Sequence, residues 1–170
     1  MTRRSNYPLL IGAVAVERVA ELVVSQRNLA WSRSRGGTEF GAGHYPVMVV
    51  LHTGLLAGCL AEARRRHPSR RVTAAALTVA VLAQALRWWC ITTLGRQWNT
   101  RVVVIPGAAR VARGPYRLMP HPNYVAVVLE GVALPLAGGA WLTATVFSVL
   151  NAVLLRTRIS VENTALARLE

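Results

Sequence analysis

The chain has 170 residues, of which 53% are hydrophobic and 16% charged, with a mean hydropathy of +0.35 and a net charge of +13. Soluble domains carry about 25% charged residues, so this composition excludes an ordinary soluble enzyme and points to an integral membrane protein. There is no lysine: the basic residues are arginines in short loops between apolar runs, without a continuous basic helix or a recognition motif, which argues against nucleic acid and for the lipid bilayer as partner.

A membrane-crossing helix needs about 20 residues. After Met1-Thr2-Arg3-Arg4, an apolar run over 7–26 is interrupted by Glu17, Arg18 and Glu21, and no small-residue cleavage site follows. It therefore reads as a retained first helix rather than a signal peptide. Arg18 and Glu21 are i,i+3 neighbours, and Glu17 and Glu21 are i,i+4. They form either a self-paired cluster facing other helices or a wall of a site. The stretch from Gly36 to Pro46 is a loop by its glycines. Its Gly41-Ala42-Gly43 is not a dinucleotide fingerprint, because position 46 is proline and no strand is expected before it. A re-entrant or interfacial loop covering a site is the better reading.

The second helix is expected over 45–63, ending at Arg64-Arg65-Arg66, with His52 either a satisfied core residue or part of a site. The third, over 72–94, carries Gln84 and Arg87 as polar links between helices and Trp88 and Trp89 at the interface. A polar connection, 95–123, leads to two short runs, 124–137 and 140–155, separated by Gly138-Gly139. Fourteen residues of helix reach only about 21 Å, so the fourth helix either begins earlier, near Pro122, or belongs to a tilted hairpin. Pro135 is expected at its end, where a missing N–H costs least. Cys59 and Cys90 lie in apolar segments without metal or CxxC spacing, so no metal site is expected.

These elements predict an all-α integral membrane protein with five transmembrane helices, the last two a hairpin, and a cofactor pocket facing the cytoplasm. A single domain over 1–170 is expected, with three helices in 1–94 and the cofactor-binding and catalytic part in 95–170. If the N-terminus is outside, eleven arginines fall on the cytoplasmic side against seven outside. The cluster at 64–71 argues the other way. A bacterial inner membrane is the expected location.

The most informative stretch is Gly114-Pro115-Tyr116-Arg117-Leu118-Met119-Pro120-His121-Pro122-Asn123-Tyr124. A proline-broken polar turn between membrane helices survives where protein covers it or where it lines a cavity. It therefore reads as a binding site. Tyrosine and histidine offer flat faces for an adenine and hydrogen bonds for a ribose. A carboxylate and aromatic faces favour a cation, and an arginine grips a carboxylate at two points.

The run Thr93-Leu94-Gly95 through Trp98, then Arg113-Gly114-Pro115-Tyr116 and His121-Pro122-Asn123-Tyr124, resembles the isoprenylcysteine carboxyl methyltransferase family. So does the C-terminal Arg158-Ile159-Ser160-Val161-Glu162. The resemblance covers residues 85–170. Glu21, Asn28, the glycine-rich loop and His52 are similar to a small bacterial branch associated with type III polyketide synthases, whose members O-methylate long-chain pyrones or phenolic lipids.

The resemblance implies S-adenosylmethionine as methyl donor and S-adenosylhomocysteine as product. Tyr116, His121, Pro122, Asn123, Tyr124 and Glu162 would bind the donor, Arg158 and Glu162 would be the catalytic pair, and Glu21, His44, His52 and Asn163 would stand on the acceptor side. Two positions depart from the family: Pro120 replaces an arginine, for which Arg113 or Arg117 could substitute, and Asn163 replaces a second glutamate. The implied activity is O-methylation of a lipophilic acceptor, a polyketide-derived alkylpyrone or phenolic lipid hydroxyl foremost, with a functional link to a type III polyketide synthase. Glu162 could be the base that a resorcinol hydroxyl needs or a ligand of the donor. Carboxyl methylation of a prenylcysteine-like substrate, an NADPH-dependent membrane reductase of related fold, and a non-catalytic lipid-handling partner are the competing readings.

Overall fold

A computed structural model describes residues 6–63 and 68–167. Its elements in chain order are α1 (Tyr7–Arg33), β1 (Thr38–Phe40), α2 (His44–Glu62), α3 (Arg70–Leu94), β2 (Val102–Val104), α4 (Pro115–Leu118), α5 (Pro122–Ala137) and α6 (Trp141–Leu166), with a single 3-10 turn, Gly95–Gln97, after α3. The arginines at 3, 4, 64–66 and 168, part of the orientation argument, lie outside the described residues.

Among the described residues, three segments are long and apolar enough to cross a membrane: His44–Glu62, Arg70–Gln97 and Trp141–Leu166. The side chains are arranged for a lipid surround. Leu9, Val16, Val19, Val50, Val81, Leu82 and Val153 are exposed, while Glu21, Arg87, Glu130, Asn151 and Arg158 are buried. In α1 this inversion has a helical period: Glu21, Ser25, Asn28 and Ser32 form one buried polar stripe, and the valines point outward. Polar groups inside and apolar groups outside is the pattern a bilayer imposes.

The long helices alternate in direction. The start of α1, the ends of α2 and α5 and the start of α6 meet in an apolar core of Tyr7, Ile11, Leu55, Cys59, Leu134, Ala137 and Phe147. At this end the Glu62 carboxylate accepts from the amides of Leu142 (2.9 Å) and Thr143 (2.8 Å), so α2 caps the exposed N–H groups of α6. Close approach of α5 and α6 requires Gly131, since a Cβ there would lie 2.1 Å from Cε1 of Phe147. Ser69 caps α3 by accepting from Val72 N at 3.3 Å.

Several boundaries differ from the sequence expectation. α1 continues past 26 to Arg33, and α6 continues past 155 to Leu166. α5 begins at Pro122, whose fixed φ suits a first helical position. Pro135 lies in its last turn, before the Gly138-Gly139 corner that makes the expected hairpin. The glycine-rich loop and the 95–123 connection are not wholly irregular. Thr38, Glu39 and Phe40 pair antiparallel with Val104, Val103 and Val102 in a two-stranded ribbon. This corrects the expectation that no strand precedes Gly41. The ribbon packs Phe40, Val102 and Val104 against Ala165 and Leu166 at the end of α6.

Candidate functional site

At the end opposite the apolar core, the helices diverge around a cavity of about 310 Å³. It is lined by α1 (Arg18, Glu21), α2 (Met48, His52), α3 (Arg87), the 97–111 segment, Tyr116, the turn from Met119 to Tyr124, and α6 (Asn151, Arg158, Glu162). Small-molecule sites commonly span about 300–1,000 Å³.

The polar stripe of α1 fixes one wall. Asn28 donates to Trp98 O at 2.7 Å, and Ser25 Oγ donates to Asn99 Oδ1 at 2.8 Å and accepts from Thr100 N at 3.0 Å. The same segment is tied to α6, where Arg158 Nη2 donates to Thr100 O at 2.9 Å. Arg101 stacks 3.8 Å from the Tyr45 ring and pairs with Glu39 at 2.7 Å, which joins the ribbon to the start of α2.

The two separated sequence clusters meet on the opposite wall. Tyr124 OH donates to Glu162 Oε2 at 2.5 Å, and His121 Nδ1 lies 3.5 Å from the same oxygen. The His121 and Tyr124 rings are stacked with centroids 5.5 Å apart, and the Arg158 guanidinium lies 5.8 Å from the Tyr124 ring. His121 Nε2 is 2.8 Å from Asn163 Oδ1. Both imidazole nitrogens thus face acceptor oxygens, an arrangement that favours the doubly protonated ring. The hydrogen bond to Glu162, opposed by burial and aided by Asn163, raises the His121 pKa above its usual value. His121 also adopts left-handed backbone, φ 54° and ψ 46°, at the N-cap of α5. A non-glycine residue rarely takes this conformation, and such strain concentrates at functional positions. Burial, followed by Cys90, pushes the Tyr116 hydroxyl well above its usual range, so that it stays a neutral donor.

Of the residues singled out from sequence, Tyr116, His121, Asn123, Tyr124, Arg158 and Glu162 line this one cavity, and Glu21 and His52 line its other end. Pro122 is fully buried and shapes the start of α5 without lining the cavity. His44 begins α2 beside Gly41 and is not among the lining residues. Asn163 does not line it either; it holds His121 from outside. An oxygen acceptor for the imidazole therefore survives the exchange of glutamate for asparagine. Neither Arg113 nor Arg117 lines the cavity, whereas Arg110 does, near enough to His121 for their charges to interact.

Sequence reasoning did not assign Arg18, Arg87, Glu130 and Asn151 to one buried group. Arg87 holds Glu21 through Nε (2.5 Å) and Nη2 (2.8 Å), and Arg18 bridges Glu21 and Glu130, each at 2.5 Å. Glu17 joins through Gln84 and through Trp88 Nε1 at 2.8 Å. Glu130 and Asn151 are isolated polar residues within apolar helices, a signal that marks function in a membrane segment.

The residues present fit a polar donor molecule. Arg158 Nε, Asn123 Oδ1 and Asn99 Nδ2 are buried at the cavity without protein partners. Unpaired buried polar atoms are uncommon in folded chains, and here donors and acceptors converge on one space beside stacked rings and a carboxylate. The sequence profile of the isoprenylcysteine carboxyl methyltransferase family matches residues 75–168, which contain both clusters. The chain is also 39% identical over 160 residues to the uncharacterised protein YpbQ of Bacillus subtilis (strain 168), covering 93% of this chain and 95% of that protein. The profile match takes in the turn around His121 and the helix carrying Arg158 and Glu162 that the fold brings together, and on it the chain belongs to the isoprenylcysteine carboxyl methyltransferase family of integral-membrane methyltransferases, which use S-adenosylmethionine.

Proposed function

We propose that the chain transfers a methyl group from S-adenosylmethionine to an oxygen of a lipophilic acceptor. The observation that carries this is the meeting of the His121–Tyr124 turn with Arg158 and Glu162 around one cavity walled by lipid-facing helices. S-adenosylmethionine held by these residues would supply an electrophilic methyl on a positive sulfur, with S-adenosylhomocysteine as the leaving group. The acceptor oxygen would form the new O–CH3 bond as the S–CH3 bond breaks, with the hydroxyl proton lost to solvent or to a base.

The chain's own residues bind and align. Tyr124 and His121 provide the ring faces, Tyr116 a neutral hydroxyl, Asn123 an acceptor, and Arg158 Nε a donor to a carboxylate. Glu162 already accepts from Tyr124 and faces His121. It therefore suits the holding of a cation better than the taking of a proton. Alignment supplies most of the acceleration, since in-line displacement depends on geometry.

In the same proposal α1 and α5 also lie in the membrane, giving five spans in a single domain, and the cavity end faces the cytoplasm. Arg33, Arg35, Arg96, Arg101, Arg110, Arg113 and Arg117 lie in or beside the connections at that end, which supports this orientation. The acceptor reaches the cavity sideways from the bilayer. A polyketide-derived alkylpyrone or phenolic lipid is the favoured acceptor, with a type III polyketide synthase as its source, on the resemblance of the N-terminal half. Calorimetric titration of S-adenosylhomocysteine into the purified chain in nanodiscs tests the reading. Saturable one-to-one binding is expected, and a folded sample without binding contradicts it.

A further inference from the structure

Beyond the Glu162–His121 cluster the cavity continues toward the middle of the helices, where its wall is built differently. Asn151 lies on the same face of α6 as Arg158 and Glu162, two and three turns away, so about 10 Å of helix rise separates it from Arg158. It is 2% exposed, it lines the cavity, and its Oδ1 has no hydrogen-bond partner. A buried amide oxygen without a partner is costly in an apolar setting, and the fold gives Asn151 nothing else to hold.

The guanidinium groups here are already paired. Arg87 is committed to Glu21, and Arg18 to Glu21 and Glu130, so neither is left without a carboxylate. His52 stands on the α2 side with Nδ1 2.9 Å from Met48 O. Leu56, Val127 and Leu155 supply apolar surface. This end of the cavity therefore offers the unpaired Asn151 oxygen above arginines that are already paired. It suits a neutral, proton-donating head group. An anion there would bring a charge with no counterpart.

We infer that Asn151 is a specificity-determining residue that accepts a hydrogen bond from a hydroxyl on the polar head of the lipophilic acceptor, an assignment that rests on the methyltransferase reading. The bond fixes the rotation of the head about its alkyl chain and turns the reacting oxygen toward the Glu162 end. An amide takes no proton, so Asn151 acts on acceptor affinity and orientation and leaves the methyl donor's binding unchanged.

The test uses the full chain in nanodiscs, with 5-pentadecylresorcinol as probe and S-adenosylhomocysteine as the donor-side ligand, each titrated by calorimetry. Asn151→Leu is expected to weaken resorcinol binding about tenfold or more, to leave S-adenosylhomocysteine affinity within about twofold, and not to lower the Tm. Asn151→Ser keeps an oxygen acceptor and is expected to retain most of the resorcinol affinity. A merely structural asparagine would lower the Tm and both affinities together. The assignment is overturned if Asn151→Leu binds the resorcinol like the wild type, if it loses both ligands in parallel, or if the wild type binds S-adenosylhomocysteine but not the resorcinol. A folded wild type that binds no S-adenosylhomocysteine removes the methyltransferase reading instead, and the resorcinol titrations still decide Asn151.

Discussion

At the scale of single residues, His121 concentrates the physical tension of the site. It carries left-handed backbone, stacks on Tyr124, and points its two ring nitrogens at Glu162 and Asn163. Its pKa in the folded chain lies above the roughly 6.5 of a free side chain, chiefly through the hydrogen bond with Glu162. The folded state thus retains a proton that the unfolded state releases. The stabilisation from the protonated ring is complete below about pH 6.5 and is lost as pH rises through the raised value. The Tm difference between wild type and His121→Gln should therefore be larger near pH 6 than near about pH 9. A difference that is constant over this range contradicts the protonated pairing. The turn holding His121 was legible in the sequence because prolines and aromatics in a membrane context have few other uses. Its partner Asn163 stood out in sequence as a departure from a family pattern and was expected on the acceptor side; in the fold it holds His121 from outside the cavity.

At the scale of elements, buried ion pairs decide how the helices sit. Arg18 joins α1 to α5 through Glu130. Breaking a buried pair from one side costs about 3–5 kcal/mol, whereas replacing both partners by apolar residues is often close to neutral. Arg18→Met should accordingly lower the Tm strongly, and Arg18→Met combined with Glu130→Leu should recover most of the loss. Equal losses in the single and the double variant would show that the pair does not bind the two helices. The same charges explain why helix ends were misjudged from sequence. Arg27 and Arg33 in α1, and Arg156, Arg158 and Glu162 in α6, look like the end of an apolar span, yet the helices run on because Arg158 and Glu162 turn inward to partners. The ribbon escaped notice because each strand has three residues, and its pairing joins positions some sixty residues apart. No local period carries such a signal.

At the scale of the whole molecule, an apolar core closes one end and a cavity with polar groups set among apolar walls opens at the other. The connections bearing Arg96, Arg101, Arg110, Arg113 and Arg117 belong to the cavity end, an arginine distribution that supports the proposal that this end faces the cytoplasm. Cys59 and Cys90 are buried, so introduced cysteines can report topology. Ser69→Cys, at the start of α3, should react with a membrane-impermeant maleimide from outside intact cells, and Ala112→Cys only after lysis. The reverse pattern would invert the protein in the membrane. Alternating helices and their hairpin were readable from hydropathy and glycines. The cavity was not, since it arises from residues on five long helices and the connections between them, whose meeting depends on packing.

The central claim is that the His121 turn and the Arg158–Glu162 face hold one ligand together. A double-mutant cycle tests it most directly: S-adenosylhomocysteine affinity measured for wild type, His121→Ala, Glu162→Gln and the double variant. The account predicts that each single change weakens binding and that the effects are not additive, with a coupling of about 0.5–3 kcal/mol as expected for residues sharing one network. Additive effects, or an affinity indifferent to either residue, would contradict it.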